Sequence, residues 1–205
     1  MKLIGMIDSP YVRRVAVSLT MLGIPFEHLP LSVFSDTDKI KAINPVLKVP
    51  TFVTDEGVAL MESSLILDYA TRLAAPEHKL MPTALGDYVA AQRIIGLALA
   101  ACEKSVQVVY ERRLRPVEKQ HQPWLDRVCA QAKAAFELLE QDARKTDNWF
   151  FGEQPMQPDI TSAVALRFAC NKLPDLIQPE LYPSLAALSA RAEATAAFQA
   201  FPFNA

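Results

Sequence analysis

Lys48-Val49-Pro50-Thr51-Phe52-Val53-Thr54-Asp55-Glu56-Gly57-Val58-Ala59-Leu60-Met61-Glu62-Ser63-Ser64 is the stretch on which the reading of this chain turns. Val49 to Thr54 and Val58 to Met61 carry the residue types of strands, and Asp55-Glu56-Gly57 between them supplies a turn, so the stretch predicts a hairpin. From Ser63 or Ser64 onward, Leu65, Ile66, Asp68, Tyr69 and Leu73 predict a helix that lays one face on a sheet.

Upstream, Leu3 to Ile7 is a short apolar run suited to a buried strand. Ser9-Pro10 then offers a side-chain acceptor followed by proline at the first helical position. Val12, Val15, Ala16, Leu19 and Leu22 continue at helical spacing up to Gly23, a residue that ends helices by taking the left-handed conformation. Phe26-Glu27-His28-Leu29-Pro30-Leu31 alternates as a half-buried strand does, which makes a β-α-β unit with parallel strands. A short helical piece from Asp36 to Ile43 and the Asn44-Pro45 pair lead into the hairpin. The predicted order β-α-β-α-β-β-α is complete by about residue 75.

Ala75-Pro76-Glu77-His78-Lys79-Leu80-Met81-Pro82 breaks both periods, and strand signals stop after it. The expected division is an α/β domain over residues 1–76, a linker over 77–84 and an all-helical domain over 85–205. Within the last, Leu85 to Leu114, Pro123 to Arg144 and Asp159 to Asn171 read as long helices, and Pro183 to Phe201 as one or two shorter ones.

With 205 residues and 51% hydrophobic content, the chain has enough apolar sequence for a large core. A formal net charge of -2 lacks the concentrated basic surface that nucleic acid or an anionic membrane requires, so small molecules or proteins are the expected partners. Cys102, Cys129 and Cys170 are an odd, widely spaced set that forms neither a disulfide framework nor a CxxC pair, and they read as reduced thiols. The N-terminus reaches Asp8 too soon for a signal peptide, and no apolar run reads as long enough to span a bilayer, so a cytoplasmic protein is expected. His28, His78 and His121 lack ligand spacing, so no metal is expected.

The element order, Val49-Pro50 ahead of a hairpin, and Glu62-Ser63 at the start of the next helix resemble the glutathione S-transferase family. The resemblance extends to the helical second domain and to an altered helix start, Met156-Gln157-Pro158-Asp159, where Met156 occupies the cap that is serine or threonine in that family. It implies a thioredoxin-like first domain, glutathione as co-substrate, a small hydrophobic electrophile as second substrate, and a homodimer.

By the same resemblance, Pro50 is cis and the backbone of Val49 pairs with the cysteinyl backbone of glutathione, a tripeptide form of strand addition. Glu62 takes the γ-glutamyl ammonium, Ser63 with the helix N-terminus takes the α-carboxylate, and Lys48 reaches the glycine carboxylate as a point charge. Ser9 faces the sulfur. A hydrogen bond to a charged group contributes about 1.5–3 kcal/mol, which lowers a thiol pKa by roughly one to two units.

Each of these residues also has a plainer reading. Taken alone, Val49-Pro50 reads as a trans proline opening an edge strand, Ser63 or Ser64 as a helix cap beside a solvated Glu62, Lys48 as a surface lysine, and Ser9 as a cap. Tyr11 is a fallback hydroxyl that reads as packing, and Arg13 and Arg14 serve either the domain interface and site electrostatics or a solvated helix face. Glu111-Arg112-Arg113-Leu114-Arg115 reads as a solvated face, and Leu47 stands where the family often has glycine. The resemblance implies a detoxification role, and because cysteine at this position typifies the family's thiol-transferring members, Ser9 implies conjugation or peroxide chemistry over a mixed disulfide. The competing functions are a non-catalytic interaction module and, ranked low because Asp8-Ser9-Pro10 lacks a Ser-Ser-Cys run, a maleylacetoacetate-type isomerase.

Overall fold

A computed structural model describes residues 1–203 and divides the chain into two units, Met1–Leu80 with the C-terminal residues from Thr195, and Met81–Ala194. The first unit contains β1 (Lys2–Ile4), α1 (Pro10–Met21), β2 (Glu27–Leu29), α2 (Thr37–Ile43), β3 (Thr51–Val53), β4 (Ala59–Met61) and α3 (Ser63–Leu73). The sheet runs β2-β1-β3-β4. β1 and β2 are parallel, joined by the crossover helix α1 as parallel neighbours require, while β3 is antiparallel to β1 and to β4.

Local chemistry explains the boundaries. Ser9 caps α1 by accepting from the Val12 N–H at 3.4 Å, with Pro10 at the first helical position. Gly23 ends the helix at φ +70°, where a side chain would be strained. Val12, Val15, Ala16 and Leu19 of α1 are fully buried with Leu3, Ile4 and Phe52 of the sheet and Ile66 of α3, which forms the core.

The C-terminal residues depart from the expected helical domain. Helix α8 (Ala196–Gln199) packs on α1, and Phe201 stacks on Phe26 at 5.7 Å between ring centroids. The reason is Arg13, which is 0% exposed: its Nε donates to the Phe201 carbonyl at 2.9 Å, and its guanidinium lies 5.2 Å from the Phe198 ring and 5.9 Å from the Phe203 ring. Of the two alternatives for Arg13 and Arg14, the solvated helix face does not hold, since both are buried.

The second unit is helical: α4 (Leu85–Leu114), α5 (Gln122–Ala143), α6 (Gln157–Lys172) and α7 (Pro183–Glu193), with α4 packed on α5 and α6, and α6 on α7. α4 is long and apolar enough to cross a membrane by length and composition, contrary to the sequence expectation. Its Ile94 to Cys102 run, rich in alanine, raises its hydropathy, and core helices share this property.

Asp159 is fully buried at the start of α6 and accepts from the Met156 N–H at 2.8 Å and the Phe150 N–H at 2.9 Å. The bond from the Met156 N–H is the aspartate half of the capping pair, formed although methionine stands at the cap. Burial pushes the Asp159 carboxyl up to about 6, against the pull of those two N–H groups. The run from Glu111 to Arg115 is not simply solvated: Glu111 is buried, accepts from the His121 N–H at 2.9 Å and pairs with Arg115 at 3.0 Å, while Arg112 pairs with Asp175.

Candidate functional site

Strand register assembles the site at one end of the sheet. Ile4 pairs with Thr51 and Thr51 with Met61, so the next residues along, Gly5, Pro50 and Glu62, continue in one row across β1, β3 and β4. The two halves of the sequence motif, a dozen residues apart, are thereby neighbours. Gly5 makes the row close: at φ +137°, a Cβ built on it would lie 2.5 Å from Val12 Cγ2 and 3.0 Å from Val49 Cβ. Only glycine lets the Val49 loop and the first turn of α1 meet here.

The Val49–Pro50 peptide bond is cis. Among the described residues, the Val49 N–H and C=O have no intramolecular hydrogen bond. The loop before it is tied by buried Asn44, whose Oδ1 accepts from the Val46 N–H at 3.1 Å and whose Nδ2 donates to Thr51 Oγ1 at 2.8 Å. Thr51 Oγ1 in turn donates to the Lys48 carbonyl at 2.6 Å. Leu47 takes φ +57°, so the left-handed turn persists without glycine, at a cost of about 1–2 kcal/mol. The Lys48 side chain is exposed.

At the start of α3 the cap is Glu62, not a serine. Its backbone takes φ +76°, and its Oε2 accepts from the Ser64 N–H at 3.1 Å. The plainer alternative, a serine cap beside a solvated Glu62, does not hold: the carboxylate folds back over the first turn and satisfies an orphan N–H. Released from capping, both serine hydroxyls meet Arg14 of α1. Arg14 Nη1 donates to Ser63 Oγ at 2.9 Å and to Ser64 Oγ at 3.2 Å. Ser63 Oγ also lies 3.5 Å from Glu62 Oε1. Ser63 is 1% exposed and Ser64 is half-buried.

Ser9 is half-buried at the start of α1, four residues after Gly5. Its oxygen accepts the cap bond, and a hydroxyl that accepts retains its own O–H to donate. Capping and stabilisation of a thiolate are therefore compatible at this residue. The three cysteines belong to the helical unit: burial pushes the Cys170 thiol up to about 11 and raises Cys129 as well, which makes both poor nucleophiles at neutral pH.

Three contributors escaped the sequence reading in these roles. Gly5 carried a signal, a glycine directly after a strand, and Asn44-Pro45 was noticed without the asparagine's anchoring bonds. For Arg14 the sequence offered site electrostatics as one alternative but no partner, because Ser63 and Ser64 are 49 and 50 positions away.

Comparison with known proteins identifies the family. Residues 3–78 match the family model "Glutathione S-transferase, N-terminal domain" and residues 122–191 match "Glutathione S-transferase, C-terminal domain", together well over half of the chain. An uncharacterized GST-like protein, YibF, of Escherichia coli is 28% identical over 141 residues, 68% of each chain. Maleylacetoacetate isomerase of Pseudomonas aeruginosa is 25% identical over 168 residues, 78% of this chain and 77% of that one. Matching Arabidopsis thaliana glutathione S-transferases align over about half of their length or less. The structure resembles a Methylobacterium radiotolerans glutathione S-transferase in complex with glutathione sulfonate, with TM-score 0.90 and 27% identity, covering 100% of this chain and 95% of that one.

Proposed function

The chain belongs to the glutathione S-transferase family, and on that premise we propose that it binds glutathione, activates its thiol and transfers the glutathionyl group to a small hydrophobic electrophile. The observation that carries the reading is the row Gly5, Pro50, Glu62, which sets the unpaired backbone edge of Val49 beside an acid and two hydroxyls. In the proposed complex the Val49 N–H and C=O pair with the cysteinyl backbone. Glu62 takes the γ-glutamyl ammonium, Ser63 with the α3 N-terminus takes the α-carboxylate, and Lys48 takes the glycine carboxylate.

The thiol gives its proton to solvent, and Ser9 donates its O–H to the thiolate. The sulfur then attacks the electrophilic carbon, forming a C–S bond while the displaced group leaves with the electron pair. Binding both reactants supplies proximity. A cytoplasmic homodimer in a detoxification role completes the proposal; Leu65 and Leu73, exposed on α3, support an apolar contact with a second copy.

The alignment with maleylacetoacetate isomerase favours one second reading, in which the thiolate adds reversibly and isomerises its substrate. Asp8-Ser9-Pro10 at the helix start weighs against it.

The test is calorimetric binding of glutathione, followed by titration of the thiolate absorbance of the complex. Ser9→Ala is expected to raise the bound thiol pKa by roughly one to two units, and an unchanged pKa refutes the role of Ser9. Glu62→Gln, which keeps an oxygen for the cap, is expected to weaken binding about 10-fold or more with little change in thermal stability. Failure of the wild type to bind millimolar glutathione would favour the non-catalytic module.

A further inference from the structure

We propose that Arg14 is a positioning residue for glutathione: its guanidinium holds the Ser63 and Ser64 hydroxyls as paired donors for the α-carboxylate of the γ-glutamyl group. The inference rests on the glutathione-binding reading above and adds to it a residue from another element, together with the second serine.

The chemistry follows from the hydrogen-bond inventory. A guanidinium only donates, so a hydroxyl that meets it presents a lone pair and keeps its O–H for another acceptor. Arg14 Nη1 occupies a lone pair on both oxygens, at 2.9 Å for Ser63 and 3.2 Å for Ser64. Both O–H groups are thereby left to donate. The nearest acceptor of the Ser63 O–H is Glu62 Oε1 at 3.5 Å, the outer limit of a hydrogen bond, so the hydroxyl gives up little on turning to a carboxylate.

Capping does not compete for these groups, because Glu62 already satisfies the Ser64 N–H. A cationic donor on a hydroxyl oxygen also polarises its O–H, which strengthens the bond that the hydroxyl then makes to an anion. The guanidinium is held rather than free: Arg14 is 3% exposed where α1 packs on α3. Lysine, a rotating point charge, does not reproduce this fixed fork.

A residue that merely staples α1 to α3 affects every ligand equally, whereas a positioning residue couples to one group of the ligand. Calorimetry on the full chain therefore compares glutathione with three analogues: 4-aminobutyryl-Cys-Gly, which lacks the α-carboxylate, glutaryl-Cys-Gly, which lacks the ammonium, and γ-Glu-Cys, which lacks the glycine. In the wild type, loss of the α-carboxylate is expected to weaken binding about 10-fold or more. In Arg14→Met that penalty is expected to fall to about threefold or less, while the penalties for losing the ammonium or the glycine stay as in the wild type.

Equal weakening toward all four ligands, or none, overturns the role of Arg14. If Arg14→Met does not fold, Arg14→Lys and Ser64→Ala carry the same comparison, and an undiminished carboxylate penalty in both overturns it. A wild type that binds none of the four refutes the glutathione reading itself, an outcome distinct from wild-type binding with an uncoupled variant.

Discussion

Gly5→Ala adds one methyl group at the junction of β1, α1 and the Val49 loop. The added Cβ would sit 2.5 Å from Val12 Cγ2 and 3.0 Å from Val49 Cβ, and the backbone would have to hold φ +137° with a side chain. Held backbone strain of this kind costs about 1–3 kcal/mol, and overpacking costs about 1–3 kcal/mol more. The sum, about 2–6 kcal/mol, is a large part of the roughly 5–15 kcal/mol that stabilises an ordinary domain. Equilibrium urea unfolding measures it, with the slope checked for two-state behaviour.

The two costs separate in a double variant. Val12→Ala removes the Cγ2 methyl that the new Cβ meets first, so the pair is expected to lose less than the summed single losses by about 1 kcal/mol or more, because relief of the clash couples the sites. The backbone share remains. Glutathione binding is expected to weaken in Gly5→Ala, since the methyl group pushes on Val49. A Gly5→Ala protein within about 0.5 kcal/mol of wild type refutes the close approach on which the site geometry rests.

Two further outcomes follow from single residues. At Leu47, held at φ +57°, Leu47→Gly is expected to be more stable than Leu47→Ala by about 1 kcal/mol in thermal unfolding, the reverse of the usual order, and the usual order would refute the strain. Asp159 has a carboxyl raised from 3.8 to about 6 by burial, so the folded state holds its proton more tightly than the unfolded state does. Its contribution is full below about 3.8 and is lost as pH rises through about 6, a swing of about 3 kcal/mol. Asp159→Asn is therefore expected to cost less stability at pH 7.5 than at pH 4.5, and equal cost at both, by urea unfolding, would refute the shift.

The legible parts of this molecule are those governed by neighbours along the chain. Ser9-Pro10 and Gly23 bound α1 because cap chemistry acts within one turn, and Asp55-Glu56-Gly57 closes the hairpin within three residues. Val49-Pro50 and Glu62-Ser63 were readable as a pair for the same reason, since a short hairpin separates them. The cap of α3 is not legible from residue preference, because serine is the commoner cap, whereas here Glu62 turns back over the helix at a positive φ. The C-terminal residues were assigned to the wrong unit because their phenylalanines have no local period. What places them is Arg13, 188 residues from Phe201.

From sequence alone, then, come the element order, the two-domain character and the family of this protein, all set by spacing, caps and motifs that act over a few residues. Tertiary structure decides what the site is made of. The approach of Val49 to Gly5, the burial of Arg13 among C-terminal rings and the grip of Arg14 on Ser63 and Ser64 join residues far apart in the chain. Such contacts form when whole elements pack, and which arginine is enclosed and which serine it meets depend on strand register and helix placement, not on adjacent residues.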